Sequence, residues 1–414
     1  MSQWTRNDVV ATALAPFVDG GTLAGVATLE WRPGGDRHVT CVGSRDRDAG
    51  LPVERDTIFR LASMTKPITS VATLMLWEEG RFALDDPITR WAPEFSGMRV
   101  LRHPAAALDD TVPADRPITI EDLLSHRSGL TYGAAHAPHI ASAFREALGG
   151  DIDSEVPPDQ WIAALAALPL IDQPGAALHY GHSTDLLGLL IARMAGTSLG
   201  RLLRDRLFQP LGMKDTGFLV PPDAWHRRSR LYGFDDAGAL VARATGPGGS
   251  TVPERPAAMA YESGGQGLWS TLADYATFAR IFVEGGEVNG VRVLRPDTVA
   301  AMMTNCLSAG QRARSEVVGL PLFATGYGFG LGVAVVMEPE TALPSIGGGA
   351  RGAVGWPGGF GGWWRADPGD GSVLVFLAHN VVEFEQFSRG IGFGVHSAMA
   401  RFQEAASVRR LPQP

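Results

Sequence analysis

Two residues with catalytic potential stand three positions apart in the segment RLASMTKPITSV, residues 60–71. They are Ser63 and Lys66, and lysine is otherwise rare, since only Lys66 and Lys214 are lysines among 36 basic residues. An arginine stays charged at every biological pH, whereas burial and positive neighbours can turn a lysine ammonium into a proton-accepting amine. A site that needs only positive charge can use arginine, so a lysine at position 66 indicates a base.

The spacing and the neighbouring proline place both side chains at the start of a helix. Residues i and i+3 of a helix share one face, with about 5–6 Å between their Cβ atoms, so the amine can reach the hydroxyl. Pro67 is tolerated in a first helical turn but not deeper, which predicts a helix that begins near Ser63. The free N–H groups and partial positive charge there stabilise an alkoxide. The pattern predicts a nucleophile with an adjacent base, and the alternative is an N-cap serine followed by a solvated lysine.

Composition excludes several classes of partner and cofactor. The 414 residues carry a formal net charge of −8 without a basic block, so neither nucleic acid nor an anionic membrane surface is expected. No run of about 18 apolar residues occurs, which predicts no transmembrane helix. The stretch VVATALAPFV after Asp8 has helical spacing, which favours the N-terminal helix of a cytoplasmic protein over a signal peptide. Cys41 and Cys306 are far apart, fit no metal spacing and predict two reduced thiols.

Patterns typical of strands lie at both ends of the chain, and patterns typical of helices lie between them. Strands are expected within residues 24–31, 37–43, 327–337, 359–368 and 371–380. Helical spacing dominates from about 89 to 240, and a last helix is expected near the C-terminus. This order predicts one sheet domain built from residues 1–88 and 240–414, and a mostly helical domain over residues 89–239.

Several segments resemble a known family when they are taken together. The segments are LASMTKPITSVATLMLWEEGRFALDDPITRWAPEF, ITIEDLLSHRSGLTYG, LFQPLGMKDTGF and ESGGQGLWSTLADYATFARIF. They resemble the serine beta-lactamase superfamily, closest to the class C beta-lactamase-like carboxylesterases of family VIII. The resemblance implies an α/β fold of the beta-lactamase/transpeptidase type, with an antiparallel sheet flanked by helices and a mostly helical domain, and it implies no cofactor. Lys214 falls in the third segment, where a surface lysine is expected.

The second motif of this family is a tyrosine followed two residues later by a polar residue. The segment HYGHSTDLLG supplies Tyr180 and His182. A phenol beside an ammonium ionises more readily, so the resemblance implies that Tyr180 takes the proton of Ser63 and later gives it to the leaving group. The family often has asparagine at the place of His182, so the role of His182 is open, and it is a substrate-binding candidate here. A packed aromatic ring is the alternative for Tyr180.

The third motif is Lys-Thr-Gly in penicillin-recognising enzymes, and neither lysine of this chain supplies it. In the segment VGWPGGFGGWWRADP, Trp356, Pro357 and Gly358 stand in the Trp-x-Gly form found in esterases of the family. Trp356 and Gly358 are therefore candidates for substrate binding, and a Gly-rich hairpin is the alternative. Gly358 and Gly359 are expected at a strand edge, where a backbone without side chains can approach a substrate. The resemblance implies an oxyanion hole formed by the N–H groups of Ser63 and Gly359.

Two other patterns are weaker candidates for chemistry. AGTSLG places Ser198 in a G-x-S-x-G string, but a nucleophile elbow needs a preceding strand, and a helical run precedes Ser198. Gly196 is therefore expected to cap the end of one helix, and Ser198 the start of the next. His136 and His139 flank Pro138 and have no third ligand nearby in the sequence, so no metal site is expected.

Together these observations predict a serine hydrolase that cleaves small-molecule carboxylic esters, with short acyl chains, through an acyl-enzyme on Ser63. An acyltransferase of the lovastatin-synthesis type is the nearest alternative, because an alcohol can replace water in the second step. A D-aminopeptidase, a DD-peptidase or a beta-lactamase is disfavoured by the missing third-motif cation. Arg351 could reach that position, so weak beta-lactam hydrolysis stays open. A non-catalytic ligand-binding protein of the same fold is disfavoured by the intact Ser-x-x-Lys.

Overall fold

The computed structural model describes residues 8–34, 37–133, 137–149, 154–243, 260–317, 321–344, 346–383, 386 and 389–408. Within these residues the strands are β1 (Gly25–Trp31), β2 (Arg37–Asp46), β3 (Leu51–Pro52), β4 (Phe59–Arg60), β5 (Arg99–Leu101), β6 (Thr111–Pro113), β7 (Tyr232–Phe234), β8 (Leu240–Ala242), β9 (Trp269–Ser270), β10 (Glu287–Val288), β11 (Val291–Arg292), β12 (Tyr327–Phe329), β13 (Ala334–Val336), β14 (Val354–Gly355), β15 (Trp363–Asp367) and β16 (Ser372–Ala378).

The α-helices of the described residues are α1 (Val9–Asp19), α2 (Thr65–Glu78), α3 (Ile120–Leu124), α4 (Pro138–Leu148), α5 (Pro158–Ala166), α6 (Ser183–Ala195), α7 (Leu199–Leu203), α8 (Gln209–Leu211), α9 (Leu272–Ala279), α10 (Pro296–Met302), α11 (Ala309–Arg314) and α12 (Phe393–Val408). The N-terminal helix α1 and the C-terminal helix α12 confirm the helices predicted at the two ends of the chain. Six helices, α3 to α8, lie between residues 120 and 211, where helical spacing dominates the sequence.

An eight-stranded antiparallel sheet forms the centre of the molecule. Its strand order is β12-β13-β14-β15-β16-β1-β2-β3. Three of these strands come from residues 25–52 and five from residues 327–378, so both parts of the chain contribute. The expected sheet from both ends of the chain is therefore confirmed, and so is the antiparallel α/β fold class.

Strand β16 is buried on both of its faces, which explains its unbroken apolar sequence. Successive side chains of a strand point to opposite faces of the sheet. Val375 packs into the main core, whereas Phe376 packs with Leu14 of α1 and Phe402 of α12. Helices therefore cover both sides of the sheet.

The main hydrophobic core continues from the sheet into the helices that follow α2. Leu124 of α3, Ile162 of α5 and Leu187 of α6 belong to the same buried cluster as Val375 of β16. The two expected parts of the chain thus share one core. The division into residues 1–88 with 240–414 and residues 89–239 stays a prediction.

No single helix in the described part of the chain has both the length and the hydropathy to cross a membrane. The pair Ser183–Ala195 and Leu199–Leu211 meets the length and composition requirement only jointly, with a bend of 77° between its members. The apolar side chains of the first member, among them Leu187 and Leu190, are buried in the main core.

The two cysteines are free thiols, as predicted. Burial raises the pKa of Cys41 and that of Cys306 to about 11 each. The thiolate is the nucleophilic form of cysteine, so both side chains are unreactive near neutral pH.

Helix α3 is anchored by a buried carboxylate, and it leads directly into the segment that reaches the candidate site. Asp122 accepts hydrogen bonds from both terminal nitrogens of Arg116 (2.6 and 2.9 Å) and from the Thr119 N–H (2.9 Å). The Thr119 hydroxyl in turn accepts from the Asp122 N–H at 3.2 Å, which completes a capping box.

We expect Asp122→Ala to destabilise the protein by about 2–4 kcal/mol, because it removes half of the capping box and the charged partner of Arg116. Urea denaturation followed by circular dichroism measures the loss. Asp297→Ala, at an exposed position in the first turn of α10, is the matched control and should cost less than about 1 kcal/mol. Equal unfolding midpoints for the two variants would contradict the anchoring role of Asp122.

Candidate active site

The segment from β4 to α2 presents Ser63 on a tight turn. Residues Ala62–Met64 form a single 3₁₀ turn, α2 begins at Thr65, and Pro67 lies in its first turn, as the sequence predicted. Ala62 has a φ of 45°, a left-handed conformation that is costly for a residue with a Cβ. Ser63 keeps 8% of its surface exposed. The turn thus holds the serine hydroxyl at the N-terminus of a helix, in a nearly closed site.

Lys66 is buried beneath Ser63 and is only 1% exposed. Its Nζ donates to Ser63 Oγ at 3.2 Å, to the Tyr132 hydroxyl at 3.0 Å and to the Gly265 carbonyl at 3.0 Å. The alternative of a solvated lysine is therefore wrong for Lys66. Lys214 is exposed, as expected of a surface lysine.

Two tyrosine rings surround the Lys66 amine. The Nζ atom lies 4.6 Å from the ring centroid of Tyr180 and 5.5 Å from that of Tyr132. Tyr180 was expected to exchange a proton with Ser63, yet its hydroxyl accepts a hydrogen bond from Trp356 Nε1 at 2.9 Å. The direct contact with Ser63 comes from Lys66 instead. Tyr180 is thus brought into the site, while its catalytic role stays a prediction.

Trp356 lies beside Tyr180. It is a candidate for substrate binding, and it is 3% exposed and packs against Tyr180 and Phe323. Its one polar atom is committed to the Tyr180 hydroxyl. Trp356 therefore belongs to an aromatic cluster beside the site, and its role toward substrate stays a prediction.

His182 was expected on the substrate side, but it is completely buried. Its ring packs edge-on against Tyr132, with 4.6 Å between the ring centroids, and also contacts Phe144 and Trp161. Its Nδ1 lies 3.3 Å from Asp185 Oδ2. The side chain thus packs against Tyr132, and its role toward substrate stays a prediction.

His126 forms the layer behind Tyr180, with 4.9 Å between the two ring centroids. Burial, reinforced by the nearby Lys66 charge, lowers the pKa of His126 to about 3, so its imidazole is neutral near pH 7. The backbone at His126 has a φ of 55°, a second strained residue beside the site. His126 thus packs against Tyr180 without adding a charge.

Gly358 and Gly359 lie where the chain turns from β14 to β15. The Gly358 N–H donates to the Gly362 carbonyl at 2.8 Å and closes this turn. A Cβ on Gly358 would lie 2.4 Å from the Leu61 carbonyl oxygen, so the turn packs directly against the segment that carries Ser63. A Cβ on Gly359 would meet no atom within 4 Å. The glycines thus cap a hairpin next to Ser63, and their roles toward substrate stay predictions.

The sequence reasoning missed Tyr132, Asp185 and the carbonyl of Gly265 as members of the site. Asp185 could have been recognised as a candidate from the sequence, since it is a charged residue at the start of the apolar helix TDLLGLLI. It is completely buried and accepts hydrogen bonds from Ser263 and Gly265. No sequence pattern indicated Tyr132 or the Gly265 carbonyl, because only the folded chain shows that both contact Lys66.

The other candidates lie away from this arrangement. Ser198 is the N-cap of α7 and accepts from the Arg201 N–H, and Gly196 ends α6 in the left-handed conformation, as predicted. Arg351 is exposed and donates to the Met337 carbonyl. His136 lies outside the described residues, and His139 contacts the Ala106 carbonyl. Over the described ranges, no group of three or more His, Cys, Asp or Glu side chains could hold a metal ion.

Known proteins share this architecture over most of its length. A family model described as "Beta-lactamase" matches residues 10–390. Protein Rv1367c of Mycobacterium tuberculosis is 43% identical over 359 residues, which are 87% of this chain and 86% of that protein. Esterase EstB of Burkholderia gladioli is 30% identical over 376 residues, with 87% of each chain covered. The solved structure of EstCE1, "a hydrolase with promiscuous acyltransferase activity", superposes with a TM-score of 0.75 at 26% identity, covering 95% of this chain and 97% of its own.

The family match, the relatives and the eight-stranded antiparallel sheet agree with the resemblance found in the sequence. The chain therefore belongs to the serine beta-lactamase-like superfamily, with esterases of the family VIII type among its relatives.

Proposed function

We propose that this protein is a carboxylesterase that cleaves neutral, short-chain carboxylic esters through an acyl-enzyme on Ser63. The observation that carries the proposal is the 3.2 Å contact between Ser63 Oγ and the buried Lys66 Nζ. A nucleophile in hydrogen-bond contact with a base, which other groups orient in turn, is the arrangement that covalent acyl transfer requires. The relative named Esterase EstB supports ester cleavage as the reaction.

In the first step, with Lys66 in its neutral amine form, Ser63 Oγ attacks the ester carbonyl carbon while its proton passes to the lone pair of Lys66 Nζ, 3.2 Å away. The N–H groups of Ser63 and Gly359 are the proposed donors to the oxyanion that forms. Collapse of the tetrahedral intermediate breaks the bond to the leaving oxygen, which takes up the proton held by Lys66 and departs as an alcohol, so that Lys66 is again a neutral amine. Ser63 then carries the acyl group as an ester.

In the second step, water attacks the acyl carbon and gives a proton to the same amine. The proton returns to Ser63 Oγ as the acid leaves, so the enzyme ends as it began. The Tyr132 hydroxyl lies 3.0 Å from Nζ and is positioned to relay these protons, whereas the Tyr180 ring lies against the amine with its centroid 4.6 Å from Nζ. The tight contacts around Lys66 limit its motion between the two steps.

The preference for neutral substrates follows from the environment of the third motif. Penicillins and peptidoglycan peptides carry a carboxylate that needs a cationic partner there. This chain has Trp356 at that position, and its N–H is already committed to Tyr180. Arg351, the other candidate cation, is exposed and bound to the Met337 carbonyl. A neutral ester has no carboxylate to pair and loses nothing at such a site.

An acyltransferase is the second candidate, because the same acyl-enzyme can be attacked by an alcohol in place of water. The observation that favours it is the structural likeness to EstCE1, which is described as having promiscuous acyltransferase activity. The two activities differ only in the second step. They can be separated by measuring the products with and without an added alcohol acceptor.

We expect kcat/KM for p-nitrophenyl butyrate to exceed that for benzylpenicillin by at least about a hundredfold. A hydrogen bond to a charged group is worth about 1.5–3 kcal/mol, which corresponds to roughly one to two decades in rate. Release of p-nitrophenol and opening of the beta-lactam ring are both followed by absorbance. Hydrolysis of benzylpenicillin at the same efficiency would contradict the esterase assignment. A dominant transfer of the butyryl group to an added alcohol would favour the acyltransferase.

We expect Lys66→Arg to lower kcat/KM by about 10²–10⁴-fold, because arginine keeps the charge but does not accept a proton near neutral pH. The chain offers a matched control in its other lysine, since Lys214 is exposed and is not among the hydrogen-bond partners of Lys66. Lys214→Arg should keep wild-type activity, and circular dichroism should show both variants folded. A folded Lys66→Arg variant with near-wild-type ester hydrolysis would show that Lys66 is not the base.

A further inference from the structure

Asp185 is a completely buried carboxylate that the proposed reaction does not yet use. A buried charge is costly unless hydrogen bonds and an opposite charge compensate it. Asp185 Oδ1 accepts from Ser263 Oγ at 2.5 Å and from the Gly265 N–H at 3.0 Å, and Oδ2 lies 3.3 Å from His182 Nδ1. The carboxylate therefore holds the loop that contains Gly265.

The same glycine connects Asp185 to Lys66. The Gly265 N–H donates to Asp185, and its carbonyl accepts from Lys66 Nζ at 3.0 Å. A Cβ on Gly265 would lie 2.7 Å from Asp185 Oδ2, so only glycine permits this approach. Thr69, one turn after Lys66 on α2, donates to the adjoining Gly264 carbonyl at 2.7 Å. The loop is thus fixed by α6 on one side and by α2 on the other.

We propose that Asp185 is a positioning residue for the Lys66 base. It fixes the Gly265 carbonyl that orients the amine, and its negative charge stabilises the ammonium that forms when Lys66 takes the Ser63 proton. The inference rests on the proposed function. Ser63, Lys66 and Asp185 would then act like a serine–base–carboxylate triad, in which the third group orients the base and stabilises its charged form. Here the carboxylate acts through the backbone of one glycine.

Two basic groups, His182 and Lys66, act on the Asp185 carboxylate. Burial would raise the pKa of Asp185, but the hydrogen bond and charge of His182 and the charge of Lys66 hold it below its ordinary value. His126, on the segment after α3, is neutral because its pKa is lowered to about 3. Glu262, next to Ser263, directs its carboxylate to the Gly200 N–H at 2.7 Å.

The test is the pH dependence of Ser63 labelling by a fluorophosphonate, with p-nitrophenyl butyrate hydrolysis measured in parallel. In Asp185→Asn the plateau labelling rate and kcat should fall at least about tenfold, with KM changed less than about threefold. The acid limb of both profiles should move to lower pH by at least about half a unit, since an ammonium without its counter-charge loses its proton more readily. A purely structural role of Asp185 would lower the plateau labelling rate and kcat without moving the acid limb of the two pH profiles.

Asp274→Asn is the matched control, because Asp274 is also a buried carboxylate that holds a loop. It accepts from the Asp215 N–H at 2.8 Å and from Thr216 Oγ1 at 2.9 Å, and none of these groups contacts Lys66. This variant should keep the wild-type acid limb. Ser263→Ala removes one hydrogen bond to Asp185 and should lower the labelling rate several-fold. This variant tests the positioning role of Asp185 if Asp185→Asn does not fold.

The outcomes separate this inference from the proposed function. If wild-type Ser63 is neither labelled nor acylated by the ester, the proposed function fails. If wild type reacts but Asp185→Asn keeps the wild-type acid limb, or Ser263→Ala reacts at the wild-type rate, only the role of Asp185 is overturned. A shifted limb in Asp274→Asn would likewise overturn it, because the effect would not be specific to the carboxylate behind Lys66.

Discussion

The buried amine of Lys66 is the group on which the rest of this site depends. Taking an ammonium or an amine out of water is costly unless its hydrogen bonds are replaced. Here three oxygen acceptors from separate parts of the chain replace them, on Ser63, Tyr132 and Gly265. Each acceptor belongs to a different structural element, so the amine can be satisfied only when these elements pack together. The same contacts that make its burial tolerable also aim it at the nucleophile.

This requirement explains several local features that are unfavourable by themselves. Ala62 and His126 both adopt left-handed backbone conformations, one before the nucleophile and one behind Tyr180. Such residues cost of order 1–3 kcal/mol each and persist only where the surrounding structure fixes them. Ala62 packs with Leu231, Phe360 and Val381, and His126 follows α3, whose start carries the capping box at Asp122. Stability elsewhere in the fold is therefore used to hold a strained arrangement at the site.

The sequence was sufficient for the local features of the fold and the site. Residue spacing and Pro67 predicted the start of α2, strand patterns at both ends predicted the sheet, and Gly196 with Ser198 predicted a helix end and a helix start. Side-chain direction was not predictable in the same way. The sequence made His182 and Trp356 candidates for substrate binding, but it did not show that each is buried among aromatic neighbours distant in the sequence. Contacts across such separations depend on tertiary packing, which no local pattern encodes.

Rapid-quench mass spectrometry during turnover of p-nitrophenyl butyrate observes the covalent intermediate on Ser63 itself. We expect one butyryl group per chain, on the peptide that carries Ser63, and no butyryl group in Ser63→Ala. Turnover without any acylated peptide, or a butyryl group on the peptide that carries Ser198, would contradict this mechanism.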